Sequence, residues 1–360
     1  MAQNMPNIEV IFKQKAVTAV QRSKRGVVCI IVNDDTAGAA TTNKYELSAD
    51  VKEAEYTADN YKAIIGAFIG LPRGVYVVKI GASKKFADAK TAIEGIDFNW
   101  LCFLNADSTE QDAVAAYIKE TNAKNKRKKR KAVVYKATTT DDMHVVNFTN
   151  EAITFKNTAS AYPVQNYTAR IAGLLAGIPF TRAATYTVMQ ELESVTEPED
   201  LDAAVNKGEF ILWNDSGEVR VGRAVNSLTT LGEDQTADMQ KITIVEAMDL
   251  ILEDIVATFN DYYCGKYKNS YDNQALFIAA VNVYFKQLGR ESILDPNYDN
   301  LATVNIEKQR EDWISNGTPE AAEWDDQKVK NMTFRSLVNL MANIKILDAM
   351  EDLKFIITMA

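Results

Sequence analysis

The residues that could carry chemistry in this chain are few and scattered. His144 is the only histidine, so a Ser–His–Asp or Cys–His catalytic arrangement would have to use it. No G-x-S-x-G motif, which would present a nucleophilic serine, accompanies it. The carboxylate pairs Asp34-Asp35 and Asp141-Asp142 lie in turn-like contexts, where aspartate commonly hydrogen-bonds the local backbone. The pattern predicts no active site, and it favours a surface or half-buried strand position for His144 within Met143–Phe148.

Metal and disulfide chemistry are not indicated either. The carboxylates show no spacing typical of a zinc or calcium site. Cys29, Cys102 and Cys264 are odd in number, far apart and mostly in apolar contexts, which fits reduced thiols in a cytoplasm. We therefore assign no catalytic, cofactor-binding or metal-binding residue, and we expect no cofactor and no enzymatic activity.

A phosphate-binding loop is the next possibility to test. The segment Gly81–Lys85 follows a predicted strand, but it lacks the glycine spacing that lets backbone N–H groups surround a phosphate. Neither G-x-G-x-x-G nor G-x-x-x-x-G-K-[ST] occurs in the chain. A nucleotide-binding α/β enzyme of unknown reaction is kept as the alternative function, because an α/β fold by itself does not establish a function.

The strongest charge feature is the basic run Lys124–Lys131, KNKRKKRK. Such a run can bind nucleic acid or an acidic partner, but it can also be a solvated helix end, where cations are favoured. It has no interleaved aromatic residue for base stacking, and the whole chain carries a formal net charge of -9. We favour a solvated helix end or contact with an acidic neighbour, and we expect no direct nucleic-acid binding.

The elements that would position these residues alternate between strand and helix in the first half of the chain. Continuous apolar runs predict buried strands, and apolar residues three and four apart predict helices between them. The predicted strands are Gly26–Val32, Val75–Ile80, Phe98–Leu104 and Ala132–Lys136, and the predicted helices are Ala58–Gly70, Lys84–Ile93 and Glu110–Asn122. This pattern indicates an α/β fold with a mostly parallel sheet sandwiched by helices.

The segment Lys207–Leu231 predicts a β-hairpin at the centre of the second half. Two short alternating runs, Glu209–Trp213 and Glu218–Arg223, flank Asn-Asp-Ser-Gly, and Gly217 can adopt the positive φ of a tight turn. An isolated hairpin is marginally stable and leaves two edges unpaired. We therefore expect other strands to pair with both of its edges.

Two alternating apolar segments near the chain ends are candidates for those strands. They are Asn7–Val17, with Ile8, Val10 and Phe12 on one face, and Leu353–Met359, with Phe355, Ile357 and Met359 on one face. Strands near chain ends are readily donated to a neighbouring molecule.

Helices are predicted between the hairpin and the second of these segments. Apolar spacing indicates one long helix from Ile244 to Tyr262, another over Gln274–Leu288 with Asp272 as its N-cap, and a last one over Met332–Leu353. The second half thus reads as an α+β C-terminal module.

The domain organisation follows from these elements. We expect an N-terminal arm at 1–22, an α/β domain at 23–185, a C-terminal α+β module at 186–352 with the central hairpin at 207–231, and a C-terminal arm at 353–360. The opening residues show no basic region followed by an apolar one, so no signal peptide is predicted. Charges interrupt every apolar stretch that could span a bilayer, so no membrane insertion is expected.

Several of these segments together resemble the contractile tail sheath family. They are GEFILWNDSGEVRVGRAVNSLTTL (Gly208–Leu231), MDLILEDI (Met248–Ile255), YCGKYKNSYDN (Tyr263–Asn273) and NIEVIFKQKAV (Asn7–Val17). The resemblance covers nearly the whole chain. It is closest to the short sheaths of defective prophages and of phage-tail-like bacteriocins of Gram-positive bacteria, the diffocin type.

The resemblance implies a mechanical function. Sheath subunits form hexameric rings stacked helically around a tail tube, and contraction drives the tube through a target cell envelope. It implies that the hairpin, through Phe210, Leu212, Val219 and Val221, accepts arm strands exchanged between subunits. It also implies that the last helix faces the tube, with Arg335 and Lys345 as candidate polar contacts.

The expected partners are further copies of the chain, a tail tube protein, and baseplate and tail terminator proteins. The resemblance implies assembly in the bacterial cytoplasm, followed by release as part of a phage tail or tail-like particle.

Overall fold

The computed structural model of the protein describes residues 25–38, 41–156 and 162–359. The described chain forms two compact units. The sheet unit includes the described residues of 25–249 and 348–359, and the helical unit includes Leu250–Leu347. The central hairpin lies in the sheet unit. The domain boundaries at 22, 185 and 352 stay predictions.

Thirteen strands are present in the described residues. In chain order they are β1 (Val27–Asn33), β2 (Thr42–Tyr45), β3 (Gly74–Ile80), β4 (Trp100–Phe103), β5 (Lys131–Tyr135), β6 (Val145–Phe148), β7 (Ile153–Phe155), β8 (Leu192–Val195), β9 (Glu209–Phe210), β10 (Leu212–Asp215), β11 (Glu218–Val221), β12 (Leu301–Val304) and β13 (Leu340–Asn343).

Nine α-helices accompany these strands in the same part of the chain. They are α1 (Ala58–Phe68), α2 (Phe86–Glu94), α3 (Ser108–Lys124), α4 (Thr168–Gly177), α5 (Leu201–Asn206), α6 (Ile242–Thr258), α7 (Tyr271–Arg290), α8 (Ile306–Ser315) and α9 (Asp326–Asn331).

A seven-stranded sheet in the order β2-β3-β1-β4-β5-β6-β9 forms the centre of the sheet unit. Its neighbouring strands are parallel, except for the antiparallel edge pair β2–β3. The central strands are buried on both faces, which explains their continuous apolar runs. One face packs against α1 and α4, and the other packs against α2 and α3. The predicted α/β fold with a mostly parallel, helix-covered sheet is therefore confirmed.

The predicted hairpin is shorter than its sequence signal. Leu212–Asp215 and Glu218–Val221 pair across a two-residue turn, in which Ser216 and Gly217 have φ values of 52° and 89°. Both central residues therefore have the positive φ that matches the twist of a hairpin. Glu209–Phe210 is not part of the hairpin, because it pairs in parallel with β6 at the edge of the seven-stranded sheet.

The helical unit differs from the prediction at several points. The predicted long helix ends as an α-helix at Thr258 and continues as a π-helical turn at Phe259–Tyr263. The next helix begins one turn earlier than predicted, with Ser270 rather than Asp272 as its N-cap. The predicted last helix over Met332–Leu353 is wrong, since its residues form β13, an isolated bridge and irregular backbone. Its apolar residues occur at helical spacing, but pairing with β12 overrides that local preference.

Close backbone contact between α1 and α4 depends on glycine. A side chain at Gly173 would overlap the carbonyl group of Ala67, and one at Gly177 would overlap that of Gly70. The G-x-x-x-G spacing in α4 therefore serves helix packing inside the sheet unit, as the small residues of that segment suggest.

Substitution of Gly173 should test this packing. Gly173→Ala is expected to lower the free energy of unfolding by about 1–3 kcal/mol or more, because the added methyl group forces two backbones apart. Gly66→Ala is the matched control, since its added methyl would have only the Arg170 side chain nearby, at 3.8 Å. It should be neutral or stabilising by about 0.5–1 kcal/mol. Urea unfolding measures both, and equal effects of the two substitutions would contradict the contact.

Candidate assembly surfaces

The four predicted acceptor residues of the hairpin region lie in the core of the sheet unit. Phe210, Leu212, Val219 and Val221 each have a relative exposure of 0%. Their side chains pack in the apolar cluster that also contains residues of the seven-stranded sheet and of helices α1 and α4. They stabilise the fold of the chain itself, so a donated strand could not contact these four side chains.

The backbone edge of β11 is already occupied by the preceding segment of the same chain. The N–H of Met189 donates to the carbonyl of Val219 at 2.8 Å. The N–H of Val221 donates to the carbonyl of Thr187 at 2.9 Å, and Tyr186 donates to Val221 at 3.0 Å. This edge therefore has an intramolecular partner.

The edge of β10 is covered by side chains. The amide of Asn150 both accepts from the N–H of Leu212 and donates to its carbonyl, each at 2.8 Å. The N–H of Asn214 donates to Glu197 at 2.6 Å. The expectation of two unpaired hairpin edges is therefore wrong. The preceding backbone segment pairs with β11, and amide and carboxylate side chains hydrogen-bond the backbone groups of β10. The acceptor role of the four residues stays a prediction that this geometry does not favour.

A different edge is open in the helical unit. The pair β12–β13 is antiparallel, with Ala302 opposite Ala342. The side chain of Asn282 bonds both the N–H and the carbonyl of Ala302, at 2.7 and 3.2 Å, so this residue pair directs its backbone groups away from the partner strand. Ala342 must then direct its own N–H and carbonyl outward, where no other described residue bonds them. The outer edge of β13 is thus an unpaired strand edge of the described chain.

The predicted C-terminal strand has no partner among the described residues. Leu353–Met359 contains no regular secondary structure, and its apolar residues are unusually exposed. Phe355, Ile357 and Met359 have relative exposures of 75%, 74% and 89%. Soluble proteins rarely leave so many adjacent apolar side chains in water unless a partner covers them. The N-terminal counterparts Ile8, Val10 and Phe12 lie outside the described residues.

Residues 348–352, which directly precede this C-terminal segment, are its root, and ion pairs hold them to the rest of the sheet unit. Lys241, just before α6, pairs with Asp348 and lies 3.2 Å from Glu351. Glu351 is almost fully buried and accepts a hydrogen bond from the Thr185 hydroxyl at 2.6 Å. Arg223, which follows the hairpin, pairs with Asp352 at 2.5 Å. Residues 348–352 are therefore fixed, while the residues after them are exposed.

The two tube-facing candidates do not lie on a helix. Arg335 is exposed at a backbone φ of 48°, with its guanidinium 5.3 Å from the centre of the Phe334 ring. Lys345 follows β13 and pairs with Asp295 at 2.9 Å, which lowers the pKa of that carboxyl. A role of these residues in tube contact stays a prediction.

The basic run divides into an exposed part and a buried part. Lys124, Lys126 and Arg127 are exposed around the C-terminal end of α3, as a solvated helix end requires. Arg130 instead donates to the Tyr117 hydroxyl at 2.8 Å, and its guanidinium lies over the Phe98 ring. Lys131, with 1% exposure, is the first residue of β5, so a solvated position is wrong for it.

Lys131 belongs to a buried ionic cluster with both carboxylates of α6. Its ammonium group lies 2.5 Å from Asp249 and 3.0 Å from Glu246. Arg25, the first described residue, lies 3.1 Å from Glu246. His144 completes the cluster, since its Nε2 lies 3.1 Å from Asp249. His144 is 4% exposed and directly precedes β6, so the expected surface or half-buried position is wrong.

The protonation of this cluster follows from its contacts. Burial by itself lowers the pKa of His144, but the hydrogen bonds with Asp142 and Asp249 outweigh burial and place that pKa above the usual 6.5. Burial also opposes ionisation of Asp249, but Lys131 and His144 together hold the pKa of this carboxyl below its usual range. The histidine is therefore part of an ion-pair network that joins β5, β6 and α6.

The remaining residues with chemical potential have structural contacts. Asp34 accepts from the N–H groups of Thr36 and Thr57, each at 2.8 Å, and Asp141 accepts from Thr229 at 2.7 Å, as the turn contexts predict. Cys29 and Cys102 are buried, which raises the pKa of both thiols. Among the described residues, no three histidine, cysteine or acidic side chains are placed to hold a metal ion. None of the helices described is long and apolar enough to cross a bilayer.

Comparison with known protein families gives matches over most of the chain. The family described as phage tail sheath protein central domain matches residues 79–227, and the phage tail sheath C-terminal domain matches residues 234–360. A tail sheath protein of Clostridium phage phiCD119 is 32% identical over 365 residues, covering 98% of this chain and 99% of that protein.

Solved structures share the fold at low sequence identity. The crystal structure of the sheath tail protein of Desulfitobacterium hafniense has a TM-score of 0.66 at 16% identity, covering 79% of this chain and 91% of the other. The helical sheath of the anti-feeding prophage in its contracted state has a TM-score of 0.67 at 12% identity, covering 100% of this chain and 99% of the other.

The raised pKa of His144 makes stability depend on pH. The folded protein holds this proton more tightly than the unfolded chain, so the stabilisation is fully present below pH 6.5 and is lost as pH rises through the folded pKa. The wild type should therefore exceed His144→Gln in free energy of unfolding by more at pH 6 than at pH 9, as measured by urea unfolding at each pH. A difference that is constant or grows with pH would contradict the assignment.

Proposed function

The chain belongs to the phage tail sheath family and is a structural sheath protein, and we propose that it polymerises around a tail tube and contracts to drive the tube through a cell envelope. The single observation that carries this proposal is that one chain has both an open strand edge and an apolar segment without a partner among the described residues. The edge is β13, and the segment is Leu353–Met359. Because the matched proteins are structural sheath proteins, the comparisons do not support the alternative function, a nucleotide-binding enzyme.

The proposed contact between copies is strand addition at β13. An extended segment of one copy pairs with the outward N–H and carbonyl groups of Ala342 and its neighbours in another copy. Main-chain hydrogen bonds contribute about 1 kcal/mol net each, and alternate side chains of the added strand become buried. This site replaces the hairpin, whose edges are occupied, as the acceptor that we propose.

Assembly through exchanged segments suits a contractile lattice. A segment of extended chain spans about 3.3 Å per residue, so it can connect copies while the folded units change their packing. The energy of contraction then comes from the difference between two sets of contacts among copies, and it requires no nucleotide. We further propose that the copies form hexameric rings, and that tube, baseplate and terminator proteins are the other partners of a phage tail or bacteriocin particle.

A proline at the β13 edge tests the acceptor site. Ala342→Pro removes the outward N–H, which an edge strand tolerates in its own fold but which strand addition requires. The critical concentration for polymer formation should rise at least about ten-fold, the factor that 1.4 kcal/mol represents. Sedimentation and negative-stain microscopy measure the polymer, and thermal unfolding reports the folded state. Ala342→Val, which keeps the N–H, is the matched control, and normal polymers from the proline variant would refute the site.

Truncation after Leu353 tests the donated segment separately. The shortened chain should unfold at nearly the same temperature as the full chain, because the removed side chains are exposed and contribute little to its core. It should not form tubes at any concentration at which the full chain does. The double substitution Phe355→Ser and Ile357→Ser should weaken assembly less, since it keeps the backbone. Normal sheaths from the truncated chain would exclude this segment as a donated strand.

A further inference from the structure

The start of helix α6 and the residue before it contact the chain next to both predicted arms. The contacts are with Arg25, which we call the N-terminal root, and with residues 348–352, the C-terminal root. Arg25 is the first described residue after the predicted N-terminal arm. Its guanidinium lies 3.1 Å from Glu246 and 3.9 Å from Asp249, and its side chain is 6% exposed. The carboxylates are one turn apart on α6, so they hold this root of the chain against one face of the helix.

The other root is tied to the residue that precedes the same helix. Lys241 pairs with Asp348 and, at 3.2 Å, with Glu351. Glu351 has a side-chain exposure of 6%, so water screens this pair little. Arg223 forms a further ion pair with this root, since it contacts Asp352 at 2.5 Å. Lys241 and Asp249, which contact the two roots, are therefore only eight positions apart in the sequence.

The same stretch of α6 is fixed to the seven-stranded sheet. Lys131 at the start of β5 and His144 just before β6 both contact Asp249, at 2.5 and 3.1 Å. Removing one partner from a buried ion pair leaves an uncompensated charge, which costs far more than loss of an exposed pair. The stretch Lys241–Asp249 is consequently held to the sheet and to both roots at once.

We infer that Lys241–Asp249 is a common anchor from which both arms of the chain leave, so that a displacement of one root is carried to the other through one rigid segment. The inference rests on the proposed function only in that neighbouring copies in a sheath would supply the force that displaces a root. The anchor itself is a property of the isolated subunit. In an assembled sheath it would couple the neighbour that holds one arm to the neighbour that holds the other, without passing force through the strands of the sheet.

The coupling has a direct test in unassembled protein. Met350 has a relative exposure of 102% and lies between Asp348 and Glu351, so a nitroxide label on Met350→Cys reports the mobility of the C-terminal root. Cys264 is exposed and is replaced by serine, whereas Cys29 and Cys102 are buried and should not be labelled. Electron paramagnetic resonance at a concentration below polymerisation then measures label mobility.

Substitution at the distant root should change this label. Arg25→Met removes a cation that has no contact with Asp348 or Glu351 in the described residues, yet it should mobilise the label at 350, as Lys241→Met should from nearby. Arg25→Lys keeps the charge and should restore the immobile spectrum. Lys84→Met is the matched control, because it breaks an exposed lysine–aspartate pair at the start of α2, beyond the end of β1 that is opposite to Arg25. Thermal unfolding confirms that each variant is folded.

The coupling must also act in reverse, because linkage between two sites is reciprocal. Lys241→Met should speed hydrogen exchange at the amides of Gly26 and Val27, the two residues that follow Arg25 and donate to the side chain of Asn99. If Arg25→Met leaves the label unchanged while Lys241→Met mobilises it, the roots are anchored independently and the inference is wrong. That result would leave the donated strand untouched, since truncation after Leu353 tests it in polymers.

Discussion

One chain that carries both an apolar segment exposed to water and an unpaired strand edge is the constraint on which the structure depends. Exposed side chains such as Phe355 and Ile357 gain about 1.5–3 kcal/mol each when they are buried, while ordering the backbone costs about 1–2 kcal/mol per residue. These contributions nearly offset one another, so non-specific burial of the segment gives little net stability. Main-chain hydrogen bonds to a complementary edge decide the balance, and β13 offers such an edge. We therefore expect the segment to select its partner by its backbone as much as by its apolar side chains.

The rest of the sheet unit leaves the segment after residue 352 as its exposed apolar surface. The parallel sheet and its helices form a core in which Thr187–Met189 and the Asn150 amide hydrogen-bond the hairpin, so both hairpin edges have partners within the chain. Ion pairs from Lys241 and Arg223 fix the chain immediately before the exposed segment. The sheet unit therefore has a defined point at which the exposed segment begins. In the proposed sheath, this unit moves relative to its neighbours while an exchanged strand keeps them connected.

Sequence reasoning succeeded where local pattern and tertiary context agree. Continuous apolar runs such as Gly26–Val32 predicted buried parallel strands, and the sequence Asn-Asp-Ser-Gly at 214–217 predicted the hairpin turn that Ser216 and Gly217 form. It failed where distant side chains decide the outcome. Asn150 and Glu197 satisfy the hairpin edge from far along the chain, and Met332–Leu353 shows helical spacing but pairs as β13. The sequence likewise did not predict that His144 and Lys131 both contact Asp249 of α6. Burial of an ion pair depends on both partners, and these partners are far apart in the sequence.

The central claim is that copies of this chain complete one another's β12–β13 sheet. A map of the assembled polymer by electron cryomicroscopy, at a resolution that traces the backbone, tests it most directly. The account predicts that residues 353–359 of one copy run along Leu340–Asn343 of another, with the Ala342 backbone groups hydrogen-bonded to the added strand. A map in which each segment folds onto its own copy, or displaces Thr187–Met189 from the hairpin of a neighbour, would contradict it.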